Sequence, residues 1–353
     1  MLKKYNLPLI ILPLIIFVFG FITLLSTSPS LVKNHLLFFV IGIVFYIIFA
    51  SIDYSTYKYI WKHAYVVGAI LLFVTIVFAE FRSGSARWLA LGPLNFQTSE
   101  FAKLILIVSI SSYIVEQRQN LNSVKSLVYI VSMTILYVFL IFMQPDLGTS
   151  LVLVSLAAGI LFYAGLKKLY ILVSVLLMGV FSAPLWGLLK DYQKRRITVF
   201  LNPQLDVLGS GYNVIQSIIA IGSGGLNGKG FGQGTQANLK FLPAYWTDFI
   251  FASFAEEWGF IGVFIFITIF VFFLFWILKI ANETKDVYGK LLCMGVFMVF
   301  FTQFTVNVGM NLGIMPVTGV TLPLVSYGGS SMLFSMSMIG LLHNIWQKNE
   351  TII

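Results

Sequence analysis

Residues 249–279 read FIFASFAEEWGFIGVFIFITIFVFFLFWILK. The run exceeds the roughly 17–25 residues a helix needs to span a bilayer. Within it, Glu256 and Glu257 are the only charges before Lys279. Working outward, similar apolar runs recur near 7–26, 35–52, 62–79, 99–115, 125–143, 149–165, 169–189, 291–310 and 325–346. Hydrophobic residues make up 59% of the chain and charged ones 10%, against about 25% charged in soluble domains. The fold class is therefore an all-α polytopic membrane protein of about ten transmembrane helices, read as one integral membrane unit over residues 1–353. The first run follows Lys3 and Lys4. It is too long for a signal-peptide core and lacks a small-residue cleavage site, so it is read as a span.

An even number of spans puts both termini on one side. Lys3 and Lys4, Lys58 and Lys62, Arg118 and Lys125, Lys167 and Lys168, and Lys279, Lys285 and Lys290 fall in alternate short connections, with Lys348 at the C-terminal end. That pattern predicts cytoplasmic termini, because short basic connections stay inside. The connections at 80–98 and 190–248 then face outward, the second a large loop between spans 7 and 8. The 80–98 stretch reads as an outer amphipathic loop.

The net charge of +9 is divided between these inner connections and the 190–248 loop. The inner share fits topology and anionic lipid heads. No soluble basic domain exists to carry a nucleic acid, so no nucleic-acid partner is expected. Cys293 stands alone, which excludes an intramolecular disulfide and a cysteine metal site. His35, His63 and His343 are dispersed and share no ligand spacing.

The 190–248 connection and its continuation run DYQKRRITVFLNPQ, GSGGLNGKGFGQGTQ and FLPAYWTDFIFASFAEE. A loop this long is disordered or functional, and its scattered aromatic and branched residues argue against disorder. It carries Lys190, Lys194, Arg195, Arg196, Lys229 and Lys240, and it ends on one carboxylate, Asp248, beside Phe249, Ile250 and Phe251. Cations beside an apolar boundary and one isolated acid suggest chemistry on an anionic lipid.

Ionisable groups in spans are functional candidates. Glu100 and Lys103, in QTSEFAKLILIV, share a helix face at a spacing that allows pairing. Both an interfacial salt bridge with a snorkelling lysine and a functional pair are open. Ser99 is a candidate cap for that helix. Asp146, in QPDLGTS, reads as the cap of the following helix in preference to a catalytic group. Glu256 and Glu257 are open to three readings: facing an aqueous cavity, pairing with a basic residue, or setting helix packing.

The glycines between 222 and 234 suggest a phosphate cradle, but Lys229 is followed by Gly230, which breaks the P-loop pattern. On composition a flexible re-entrant turn is favoured, with backbone N–H groups approaching a diphosphate as the alternative. In PVTGVTLPLVSYGGSSML, residues 316–333, Pro316, Gly319, Pro323, Gly328 and Gly329 interrupt any helix. Irregular backbone at membrane depth is tolerated where protein buries it or water reaches it, so this segment is expected to line a cavity.

Five segments together resemble the SEDS family of cell-wall polymerases and its rod-shape (RodA) branch. They are RWLALGPLNFQTSEFAKL at 87–104, QPDLGTSLVL at 144–153, GYNVIQSIIAIGSGGLNGKGFGQGTQ at 211–236, TDFIFASFAEEWGFIG at 247–262 and GIMPVTGVTLPLVSYGGSS at 313–331. The GTQ at 234–236 leans toward the rod-shape branch over the division branch. The resemblance implies a peptidoglycan glycosyltransferase of the bacterial cytoplasmic membrane, acting on lipid II during elongation. It makes Asp248 the essential aspartate and Glu100 with Lys103 a supporting pair. It also implies partners: a class B penicillin-binding protein as transpeptidase, other elongation-complex proteins and membrane lipids. Relatives commonly carry Glu and His before the aspartate, where this chain has Ala244, Tyr245 and Trp246.

Joining an α-linked sugar diphosphate to an acceptor hydroxyl through a β-1,4 bond inverts the anomeric centre in one displacement. Asp248 is the expected base, its apolar flank raising its pKa and a nearby cation opposing that. Arg87, Arg195, Arg196 and Lys229 are candidates for the diphosphate, arginine being the better bidentate partner. Gln236 and Ser326 join them as candidate substrate contacts. A divalent cation, Mg²⁺ or Mn²⁺, is compatible with the diphosphate, but the few outer carboxylates do not suggest a protein cage for one. The rivals are a lipid II flippase, which calls for a midplane site and related halves, and a non-catalytic scaffold, which has no need of Asp248.

Overall fold

The computed structural model describes residues 6–78, 87–91, 94–167, 170, 187, 191–206 and 209–351. The long helices are α1 (Leu7–Thr27), α2 (Pro29–Ser51), α3 (Tyr57–Phe78), α4 (Thr98–Glu116), α5 (Val124–Met143) and α6 (Leu147–Tyr163). Shorter helices follow: α7 (Asp191–Leu201), α8 (Ser210–Ser223) and the single turn α9 (Thr235–Asn238). The chain closes with α10 (Ile250–Glu283), α11 (Val287–Asn311) and α12 (Gly329–Thr351). Nine of the expected spans thus appear as helices, and the run at 169–189 lies outside the described residues. Seven of the nine are long and apolar enough to cross a membrane. The chain is a multi-pass, all-α membrane protein.

Local chemistry sets the helix limits. The Asn6 side chain accepts the Leu9 amide at the start of α1, and Ser28 with Pro29 turns the chain directly into α2. Proline suits this first helical position because its missing N–H is one that would be unpaired there. Asp146 and Asp286 cap α6 and α11 by accepting the amides of Thr149 and Gly289. The expected last span at 325–346 begins later, at Gly329, because the residues before it hold the proline- and glycine-rich loop.

Helices α4 and α11 run through the middle and are buried on nearly every face. Helices α1, α2, α3, α5 and α10 carry exposed apolar faces, for example Leu14, Val40, Val66, Ile135 and Phe264. In water such faces would be an association liability, whereas in lipid they are the expected exterior. Helices α2 and α12 cross closely at Gly340, where an added Cβ would lie 2.4 Å from the Tyr46 carbonyl oxygen. Small residues at such crossings let membrane helices gain van der Waals contact.

Following the described helices through this bundle places the connections at 52–56, 117–123 and 284–286 at one end. There Lys348 pairs with Asp53 at 2.7 Å and Lys62 with Glu116 at 4.0 Å. Asp248 and the glycine-rich stretch lie at the other end. The expected loop at 80–98 proves partly β: Trp88–Leu91 and Leu94–Gln97 form an antiparallel hairpin in which Trp88 pairs with Gln97. Residues 80–86 lie outside the described residues.

Candidate active site

Asp248 sits in the turn that enters α10, and its backbone is held from two sides. The Asn307 and Asn311 side-chain amides, one turn apart on α11, both donate to the Asp248 carbonyl, at 3.1 and 3.0 Å. The loop at 313–331 braces the residues just before it: the Tyr327 amide donates to the Trp246 carbonyl at 2.9 Å. Ser326 donates to the Thr247 carbonyl at 2.7 Å and accepts the Leu322 amide at 2.9 Å. The segment carrying Asp248 is therefore rigid although it is a loop. The residue as a whole is partly exposed, while its carboxyl group is enclosed by the side chains around it.

The carboxylate faces Gly319, with Oδ2 3.5 Å and the Arg87 guanidinium 3.9 Å from where a Cβ on that glycine would stand. Gly319 has φ +75°, so the turn needs glycine for its backbone as well as for the space. Arg196 reaches the same turn and donates to the Thr318 carbonyl at 3.3 Å. Burial pushes the Asp248 carboxyl above the usual carboxylate range, and nearby Asp146 adds to this. Arg87, Arg196 and the Thr247 hydroxyl pull in the opposite direction without cancelling it. A small cleft beside Arg196 is walled by Val199, Phe200, Val214, Met315 and Val317. The arrangement offers a base, two guanidiniums and an apolar wall at one point.

Arg87 is aimed by the loop before α6. Its Nε donates to the Gln144 carbonyl at 3.3 Å, it also donates to the Pro145 carbonyl, and it stands 3.7 Å from Asp146 Oδ1. Asp146 is the helix cap expected from its position: it accepts the Thr149 amide and hydroxyl, and also Gln97 and Ser99. Ser99, the expected cap of α4, lies inside its first turn and donates to Asp146 instead; the N-cap position falls on Gln97, whose side chain makes no capping bond. Glu100 and Lys103 are both buried and pair at 2.7 Å, joined to the Asp248 turn through Ser99, Asp146 and Arg87.

Arg195 turns away from Asp248 and pairs with Asp206 at 2.5 Å. Lys229 does likewise: its ammonium lies 2.6 Å from Glu256 Oε1 and 2.9 Å from the Thr235 hydroxyl. Of the three readings of Glu256, pairing with a base holds. Glu257 meets Ser26 at the end of α1. The Gln236 amide donates to Glu256 at 3.1 Å, while its side-chain oxygen is buried without a partner among the described residues. Ser326 is buried and its hydroxyl is already committed to the two backbone bonds above, so the structure gives it a bracing role.

The glycine-rich stretch is not a phosphate cradle. The Lys229 and Gly230 amides donate to the Glu256 and Glu257 carbonyls, both at 3.0 Å, and the Gly232 amide donates to Ser26. Those donors are spent inside the protein. Ala244 and Tyr245 serve packing and turn geometry: Tyr245 is buried edge-on against Trp246, ring centroids 4.6 Å apart. The Ala244 carbonyl accepts the Thr247 and Phe249 amides. Sequence reasoning missed Asn307, Asn311 and Thr318. The asparagines left a signal, two amides four residues apart on an apolar helix, a spacing that puts them on one face.

Fold and site define a polytopic membrane protein whose loops build a carboxylate and guanidinium pocket at one end of a helix bundle. The chain belongs to the cell cycle protein family FTSW_RODA_SPOVE, which matches residues 6–351. It is 38% identical over 305 residues to the peptidoglycan glycosyltransferase MrdB of Escherichia coli K12, covering 86% of this chain and 82% of that protein. Among solved structures it resembles a chain of a peptidoglycan synthase complex described as coordinating polymerization and crosslinking. That likeness has TM-score 0.85, 29% identity and 98% coverage of both chains. The rod shape determining protein RodA of Thermus thermophilus, in a mutant form, matches with TM-score 0.73 at 25% identity over 98% of both chains.

Proposed function

We propose that this chain is a peptidoglycan glycosyltransferase that joins lipid II units into glycan strands by inverting transfer, releasing undecaprenyl diphosphate, during elongation of the cell. The observation that carries this reading is Asp248, a carboxylate beside Arg87 and Arg196, in a family whose relatives include named peptidoglycan glycosyltransferases.

In the proposed step Asp248 takes the proton of the acceptor 4-hydroxyl while that oxygen attacks the donor's anomeric carbon. The bond from that carbon to the diphosphate breaks, and the electron pair leaves on the diphosphate. Arg196 and Arg87 meet the departing charge, where guanidiniums give bidentate contact. The raised pKa strengthens Asp248 as a base, and the two cations oppose that rise. Among the described residues no group of three His, Cys, Asp or Glu side chains could hold a metal. A Mg²⁺ or Mn²⁺ ion would arrive with the diphosphate and would supply positive charge to the leaving group.

The end bearing Lys62, Lys279 and Lys348 is assigned to the cytoplasm with both termini, following the positive-inside rule. The Asp248 end then faces outward, where lipid II is presented. The solved relative that coordinates polymerization with crosslinking supports a transpeptidase partner of the class B penicillin-binding type. The test is to incubate purified protein, alone and with that partner, with lipid II, comparing wild type with Asp248→Asn. Polymer from wild type only supports the reading. Equal polymer from both overturns Asp248 as the base, and none from either, with an active positive control, favours a flippase or a scaffold.

A further inference from the structure

The glycine-rich stretch is spliced into a break in α10. The break falls at Gly259, which has φ +65°. Across it the Phe260 and Ile261 amides donate to the Gly225 and Leu226 carbonyls at 2.9 and 3.1 Å, while the Glu256 and Glu257 carbonyls accept from Lys229 and Gly230. Backbone meets backbone here: a Cβ on Gly228 would stand 2.1 Å from the Glu257 carbonyl oxygen.

One side chain secures this splice. Glu256 is 0% exposed, and its carboxylate accepts from the Lys229 ammonium, the Thr235 amide and hydroxyl, the Gln236 amide and the Ser223 hydroxyl. The other acid facing it is Glu257, whose Oε1 lies with Glu256 Oε2 around the bare face of Gly234. From α9 the chain continues to the Asp248 turn through one compact cluster. The Leu242 amide donates to the Gln236 carbonyl at 3.0 Å, and Leu242 packs with Ala237, Tyr245, Phe249 and Ala252.

We infer that Glu256 and Lys229 form a charged latch that positions Asp248, with Glu256 the positioning residue and Lys229 its counter-ion and not a substrate ligand. This rests on the proposed polymerase reading for its kinetic consequence, but the latch itself does not. A buried carboxylate that loses its ammonium partner is left uncompensated, whereas removing both charges together relieves the site. Loss of the latch shifts Asp248 relative to its substrate, and misplacement on the order of 1 Å costs up to about 100-fold in rate.

The experiment is a cycle of Lys229→Met, Glu256→Gln and the double variant in the full chain. It reads kcat and KM on lipid II, and amide hydrogen exchange across residues 235–243. Lys229→Met should lower kcat by about 10-fold or more with KM nearly unchanged, and it should speed exchange. The double variant should lie closer to wild type than Lys229→Met in both readouts. Glu256→Asp, which keeps the charge, provides the folded comparison if Glu256→Gln does not accumulate. Overturning results are a Lys229→Met effect confined to KM, a double variant as impaired as the sum of the singles, or unchanged exchange. If wild type makes no polymer, the polymerase reading fails alone, and the exchange data still decide the latch.

Discussion

Asp248 and Glu256 stand eight residues apart at the start of one helix, each with basic residues near, and the structure treats them in opposite ways. Glu256 is fully buried and takes five donors from four residues. Asp248 is held mainly through its backbone carbonyl, and its carboxylate meets the Thr247 hydroxyl with Arg87 and Arg196 near. A carboxylate saturated by the protein holds the fold, because its hydrogen-bonding capacity is used up. One whose backbone is clamped while its oxygens keep hydrogen-bonding capacity is prepared to bind or to move a proton. Proximity of acid and base along the chain does not distinguish these cases; hydrogen-bond bookkeeping does.

The sharpest way to break the contrast is Asp248→Asn. Loss of a placed general base should lower kcat by about 10²–10⁴-fold, read as glycan formed from lipid II. The fold should survive. The folded pKa of Asp248 lies above its unfolded value, so ionisation of this group costs stability at neutral pH and that cost is relieved as pH falls. The uncharged asparagine removes it, and thermal unfolding should show no loss. A variant that unfolds early would put Asp248 with Glu256 among the structural acids.

The Glu100 and Lys103 pair belongs with the saturated kind, both ends being buried at 2.7 Å. Removing one partner, as in Glu100→Gln or Lys103→Met, should destabilise by about 3–5 kcal/mol, and the double variant should recover most of it. Thermal unfolding in detergent checks this. Additive losses would mean the two groups do not act as a pair.

Much of this was legible in the sequence, and the limits were physical. Nine spans followed from apolar run length, and Glu100 with Lys103 from helical spacing, because both depend on local periodicity. Asp146 as a cap followed from its place before a helix. The fates of Arg195 and Arg196 did not follow. Adjacent on α7, they point to Asp206 and to the Asp248 turn respectively, a choice made by tertiary contacts. The pairing of Lys229 did not follow for the same reason: its partner lies 27 residues away, across the break in α10. The hairpin at 88–97 was hidden because its strands are only four residues each.

Arg196 extends the test to electrostatics. A charge-assisted contact contributes about 1.5–3 kcal/mol, so Arg196→Gln should lower kcat/KM by about 10–100-fold. It also removes a cation that pulls the Asp248 pKa down. The acid limb of the kcat/KM profile, which reports the base in the free enzyme, should therefore begin above the usual carboxylate range in wild type and move further up in the variant. A limb that stays in place would separate Arg196 from Asp248.

Ser326→Ala should have the smallest effect on turnover and is the most discriminating for the bracing loop. Its hydroxyl is committed to the Thr247 carbonyl and the Leu322 amide, and alanine leaves both buried without that partner. The expected loss is about 1–3 kcal/mol of stability, read by thermal unfolding. Turnover should fall only a few-fold, to about a third of wild type, because displacement from productive geometry sets the cost. Asn307, Asn311 and the Tyr327 amide still hold the turn. KM should stay unchanged, since the hydroxyl is buried with its proton already donated. A rise in KM with stability intact would instead place Ser326 among the groups that touch lipid II, moving the 313–331 loop from the scaffold side of the comparison to the side of Asp248.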